Sequence, residues 1–180
     1  MTVMDTNGRA GVVFPDNVLF EAGKAGEGIR KRLLEGFSFH TLLRLPTGIW
    51  YSPGVKANVL FFDKRPASRE VQTKALWVYD YRMNIHKTLK TKRLSESDFD
   101  EFVQCYRDRK GCERFRKFDY GELAARDKLN LDLFWLKDDS LEDIDNLPEP
   151  NILAAEIVEN LEAALDQFRS VASELDGVTK

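Results

Sequence analysis

Two cysteines in 180 residues are too few for a disulfide framework, and a chain so poor in them is expected in a reducing compartment, the cytoplasm. Cys105 and Cys112 form no Cys-x-x-Cys pair and no histidine cluster accompanies them, so no metal site is expected and both read as ordinary thiols. No apolar run approaches the ~18 residues needed to cross a bilayer, and Met1 to Gly8 has no signal-type apolar stretch. Membrane insertion and secretion are thereby set aside. The two histidines, His40 and His86, have no Ser, Cys or Asp partner at a catalytic spacing and receive no catalytic role. Gly23, Gly26 and Gly28 stand in the order G-x-x-G-x-G, too far behind the preceding strand for a dinucleotide turn, and read instead as a flexible loop entering a helix.

What is present is an ordinary globular composition, 43% hydrophobic, enough for one substantial core. The net charge of −3 conceals an asymmetry. Residues 138 to 180 hold 12 acids against Arg169 and Lys180, and the remainder holds 18 acids against 25 Lys/Arg. The basic part can face phosphate; the acidic part is suited to protein or solvent.

Asn7-Gly8 marks a turn, and Arg9 to Phe14 reads as a short apolar strand ended by Pro15. From Gly26 the period becomes helical, with Ile29, Leu33 and Leu34 on one face and Arg30, Lys31 and Arg32 spread around it, up to Gly36. Thr41 to Leu45 is the next strand. Such a unit is a crossover with parallel strands whose ends share one sheet edge, where open α/β sheets bind ligands. Val55 to Asp63 should return antiparallel, and Ala75 to Tyr81 is a further strand. Ser95 to Tyr106 reads as a helix capped by Ser95. Beyond Pro148 to Pro150, Leu153, Ile157, Leu161, Leu165 and Phe168 recur at helical spacing as a narrow stripe.

The stretches GRAGVVFPDNVLFE (Gly8 to Glu21) and LPTGIWYSPGVKANVLFF (Leu45 to Phe62) resemble the carboxyl half of the catalytic domain of adenine-N6 DNA methyltransferases, specifically the modification subunit of type I restriction systems. The resemblance is best from Gly8 to Tyr81 and continues more weakly to the last helix. It implies an α/β fold, the terminal portion of a Rossmann-like methyltransferase sheet with parallel strands and an antiparallel hairpin, followed by a helical tail. Residues 1–81 would be the catalytic-domain half and residues 82–180 a charged linker and helical tail for subunit contact. The family's Asp/Asn-Pro-Pro-Tyr/Phe tetrapeptide, which holds the target amino group, is missing, since none of the six prolines are adjacent. Its glycine-rich strand end for S-adenosylmethionine is missing too. The chain is thus expected to be a piece of a methyltransferase, inactive alone and without affinity for S-adenosylmethionine, which the complete family enzyme uses.

By resemblance, Trp50 matches the aromatic residue that stacks on the adenine after it leaves the duplex, a place where Phe is common. The alternative is that Trp50 caps the core while Tyr51 is exposed. Pro15, Asp16 and Asn17 match the pattern after the strand beside the tetrapeptide and would shape the base pocket; Pro-Asp-Asn is equally a ready turn. Arg82, Lys87, Lys90, Lys92 and Arg93, with no acid among them, form a candidate phosphate-contacting segment or a solvated loop. The resemblance implies DNA, a specificity subunit and a restriction subunit as partners, the tail stripe meeting the specificity subunit. A non-catalytic docking module is the alternative reading. The strand Ala10 to Phe14 would lack its family neighbour and is expected to self-associate through its bare edge.

Overall fold

The structure is a computed structural model that describes residues 4–51, 55–85, 87–89 and 92–137, together with Val158 and Leu165. Its centre is a five-stranded mixed sheet in the order β1-β3-β2-β4-β5, formed by β1 (Arg9–Pro15), β2 (Ser38–Arg44), β3 (Ala57–Asp63), β4 (Ala75–Asp80) and β5 (Phe115–Asp119). Helix α1 (Lys24–Gly36) follows β1, helix α2 (Asp100–Asp108) precedes β5, and the short α3 (Tyr120–Ala124) follows it. The α/β expectation holds.

The side-chain period of a strand explains the layers. β2 runs Ser-Phe-His-Thr-Leu-Leu-Arg with six of its seven residues buried, the near-continuous burial of a strand covered on both faces. Leu42 points into a core with Leu33 and Leu34 of α1, Phe62, Leu76 and Val78. Its neighbour Leu43 points oppositely, into a second core with Tyr79, Tyr81, Phe102 and Phe115.

β1 and β2 run in the same direction, as expected, but do not pair. β3 lies between them, antiparallel to both, and the parallel pairing is β2 with β4. β1 is therefore an edge strand, with Val12 and Val13 exposed. Two sequence-based placements on α1 are corrected. The helix starts at Lys24, so Gly26 and Gly28 lie inside it rather than in a loop, and Ile29 is exposed while Arg30 is buried. Arg30 is tolerated there because its guanidinium donates to the carbonyls of Val18, Glu21 and Lys128.

The compact unit does not stop near residue 81 but runs to Lys137. β5 pairs antiparallel with β4, and Leu131 and Leu133 enter the first core, which binds 82–137 to the sheet. The expected helix at Ser95 is present. Ser95 and Asp98 form a reciprocal capping box, the first turn is 3-10, and α2 continues to Asp108. Asp138–Lys180 forms a second unit, of which only Val158 and Leu165 are described, both helical and exposed. Leu153, Ile157, Leu161 and Phe168 of the stripe lie outside the described residues.

Candidate nucleotide site at the carboxyl edge of the sheet

β1, β2 and β4 all end on the same edge, and their last residues are joined by charge. Asp16, just past β1, accepts a hydrogen bond from Asn58 Nδ2 at 3.0 Å and lies 3.5 Å from the guanidinium of Arg44, the last residue of β2. Arg82, past β4, reaches Asp16 at 3.6 Å and Asp80 at 3.8 Å. Asp80 is buried, and its Oδ1 accepts the backbone N–H groups of Arg82 and Met83, which turns the chain as it leaves β4. Arg44 is wholly buried, donates to Leu133 O at 2.6 Å and pairs with Asp132. The ring of Phe134 lies 5.0 Å from both the Arg44 and the Arg82 guanidinium carbons. Burial and the neighbouring Arg44 charge push the Arg82 guanidinium below its ordinary pKa.

Asp16 is therefore engaged from three sides and shapes the edge rather than projecting from it. Pro15 and Asn17 are exposed; the Asn17 carbonyl accepts from Phe20 and Glu21, closing the 3-10 turn that the Pro-Asp-Asn composition suggests. Of the basic segment, Arg82 and Lys87 are turned inward. Lys87 is bound to Asp98 at 2.6 Å with its side chain 8% exposed, and Lys90 lies outside the described residues. The expectation that Arg82 and Lys87 reach phosphate is corrected on that ground, since both cations are ion-paired and largely covered, with side chains 12% and 8% exposed. Lys92 and Arg93 are exposed.

The β2–β3 loop stands over an apolar cavity of about 710 Å³, lined among others by Leu43, Leu45, Ile49, Trp50, Leu89 and Phe99. That volume lies within the roughly 300–1,000 Å³ common for small-molecule sites. Trp50 is half-buried against the second core, with its indole N–H enclosed and unpartnered, while Tyr51 is 96% exposed. The loop is seated by Gly48, whose φ of +80° turns it against the Lys87 carbonyl. Both aromatic residues expected at this loop are thus on the cavity side of the sheet edge, one in its wall and one at its surface.

Sequence reasoning missed Arg44, Asn58, Asp80 and Phe134. A signal existed for Arg44 and Asp80, because a charge ending an apolar strand, as in TLLRL and ALWVYD, implies a buried partner. Nothing local flagged Phe134 or Asp132. Tyr79 and Tyr81 are likewise drawn into the second core; burial and the Asp98 carboxylate raise Tyr81 to about 12, and burial with the Glu101 carboxylate raises Tyr79 further. Burial also lifts the Cys112 thiol to about 12, so it is no nucleophile at neutral pH.

Residues 1–137 match the N-6 DNA Methylase family. The chain belongs to that family. Across 93% of its length it is 36% identical to the StySJI methylase subunit of the type I restriction enzyme of Salmonella typhimurium strain LT2, and equally to the EcoKI methylase subunit of Escherichia coli K12. It spans 39% of the length of each. The crystal structure of the EcoKI M protein superposes with a TM-score of 0.65 at 34% identity, covering 94% of this chain and 41% of that one. A modification subunit of a putative type I restriction enzyme from Vibrio vulnificus superposes at 0.56 with 30% identity, covering 66% of this chain and 24% of that one. In this N-6 DNA methylase chain the sheet edge just described therefore sits in a Rossmann-like methyltransferase fold shared with type I modification subunits.

Proposed function

We propose that this chain supplies the target-base wall of an adenine-N6 DNA methyltransferase of a type I restriction-modification system. The observation that carries the reading is the aromatic loop Trp50-Tyr51 beside an apolar cavity, raised on a sheet edge that buried charge pairs hold rigid. An enzyme acting on the amino group of a stacked adenine must rotate the base out of the duplex, and a flat ring recovers part of the unstacking energy. Trp50, in the wall of the cavity, offers that ring. S-adenosylmethionine would supply the methyl group in the complete enzyme. This sequence has no adjacent prolines and no glycine-rich strand end of the required kind, so its residues orient the base and no transfer step is assigned to them.

In full-length protein, Trp50→Ala should lower methylation of unmodified target DNA by roughly tenfold to a hundredfold, matching the ~1–3 kcal/mol of one base–aromatic stack, while Trp50→Phe keeps most of it. A 2-aminopurine at the target position reports extrusion. Parental extrusion by Trp50→Ala, with loss in Tyr51→Ala instead, transfers the role to Tyr51.

We assign the partners by the same reading: DNA at this edge, with Lys90, Lys92 and Arg93 as its phosphate contacts, and the specificity and restriction subunits of the same system. The helical tail meets the specificity subunit, and its Leu165 is exposed as a docking residue must be. Glu at both Leu161 and Leu165 should abolish co-purification with a specificity subunit while residues 4–137 stay folded; loss of the fold instead rules the stripe internal. The exposed β1 edge makes the chain on its own self-associate through Ala10 to Phe14, in a cytoplasmic setting. Light scattering of the parent against Val12→Lys decides, and a monodisperse parental monomer refutes it.

A further inference from the structure

The last turn of α2 faces the tight turn that leads into β5, and three soft or anionic ligands meet there. Cys105 Sγ on α2 lies 3.3 Å from Cys112 Sγ on the turn, and a carboxylate oxygen of Glu101, one helical turn before Cys105, completes a set of atoms all within 4.8 Å of one another. Among the described residues this is the sole His/Cys/Asp/Glu group of that kind. Each ligand has an orienting neighbour. The Tyr79 hydroxyl donates to Glu101 Oε2 at 2.8 Å, and the backbone N–H of Arg114 donates to the Cys112 sulfur, a type of support that thiolates bound to metal commonly have. Cys105 is buried, Cys112 half-buried and Glu101 exposed, so the protein side is closed and one side is open to a water.

We propose that Glu101, Cys105 and Cys112 bind a zinc-class divalent cation, with a water as fourth ligand. Tetrahedral Zn–S bonds of about 2.3 Å place two sulfurs about 3.8 Å apart. The observed pair must open by only about 0.5 Å to reach that spacing, whereas a disulfide at about 2.05 Å would require it to close by more than twice as much. Two thiolates and one carboxylate select a borderline-soft ion over magnesium or calcium. On binding, two metal–sulfur bonds form, two S–H protons pass to solvent and no electron is transferred. The ion would join α2 to the turn before β5, cross-linking the two. Sequence alone hid the site because Cys-x6-Cys is no recognised ligand spacing and Glu101 becomes a neighbour only through the helix.

The test uses the full chain, reduced and freed of metal, titrated with Zn2+ and with Co2+. One ion per chain is expected, with a sulfur-to-cobalt charge-transfer band in the near ultraviolet. Cys112→Ser should remove the band, Glu101→Gln at its exposed position should weaken binding, and Tyr79→Phe should weaken it by about tenfold to a hundredfold as an orienting loss. Circular dichroism and thermal melting of each variant separate lost binding from lost fold, and Glu101→Gln stays informative even if Cys105→Ser does not fold. Cobalt bound without the sulfur band places the ion on surface carboxylates and overturns the proposal. So does undiminished zinc binding by Cys112→Ser. A reduced chain that takes up no zinc, yet yields a Cys105–Cys112 disulfide with glutathione disulfide, overturns it in favour of a redox pair.

Discussion

Replacing Gly48 by Ala tests whether the aromatic loop is built as described. Two penalties act at once. The φ of +80° lies in the left-handed region, where a residue with a Cβ loses about 1–2 kcal/mol relative to glycine. A Cβ at this position would also stand 2.0 Å from the Lys87 carbonyl oxygen, against an ordinary contact of 3.4 Å or more, so the loop and residues 87–89 must part by well over an ångström. Relief of such overpacking costs a further ~1–3 kcal/mol, giving a total loss of about 2–5 kcal/mol. Gly28→Ala is the matched control. Gly28 lies inside α1 with nothing within 4 Å of an added Cβ, so alanine there should stabilise by about 0.5–1 kcal/mol. Urea unfolding measures both, with unchanged m-values confirming that the native state alone has shifted. Limited proteolysis should in addition cut Gly48→Ala within 45–51 faster than the parent. A Gly48→Ala chain with the parental midpoint and cleavage rate would show that the loop does not rest on Lys87.

Arg44→Met should cost about 3–5 kcal/mol in urea unfolding, the scale for removing one member of a buried ion pair, because Asp16 and Asp132 then keep their charges beside a methylene chain; a change under ~1 kcal/mol would place the network's strength elsewhere. In alkali, stability should be level up to about pH 10 and then fall as pH rises towards 12 and beyond. Tyr79 and Tyr81 are raised in the folded chain from an ordinary phenol value of about 10, so the unfolded chain ionises first and draws the equilibrium towards itself. Tyr79→Phe with Tyr81→Phe should flatten that decline, and a double variant with the parental alkaline profile would refute the assignment.

Much of the sheet could be read in the sequence. β1, β2, β3 and β4 were marked by compact apolar runs ending at Pro or Asp, and α2 by Ser95 at its cap, because these signals act within a few residues. The order of strands was not readable: nothing local to Arg9–Pro15 tells whether β2 or β3 lies beside it. β5 was hidden because Phe-Arg-Lys-Phe-Asp, with a charged residue on each face, has too few apolar residues to announce a strand. At the site, the aromatic loop was legible from composition and resemblance. The inward turn of Arg82 and Lys87 was not, since Asp16 lies 66 residues before Arg82 and Asp98 pairs with Lys87 only after the chain has bent at Asp80. Arg30 failed for the same reason, its acceptors being carbonyls at Val18, Glu21 and Lys128.

The insertion of β3 between β1 and β2 sets an order of assembly. β2 and β3 meet at Arg44–Asn58, 14 residues apart, and zip outward to Ser38–Asp63, so their hairpin closes a short loop. β1 finds its partner only across 42 residues at Pro15–Ala57 and 54 at Arg9–Asp63. Loop-closure entropy grows with that separation, and β1 has no slot until the hairpin exists. β1 is thus the last strand to arrive and the first to leave. Paired on one side only, as β5 is at the opposite edge, its amides should exchange with solvent through openings that leave β2 and β4 protected, so a strand that bounds the candidate site is also one that breathes.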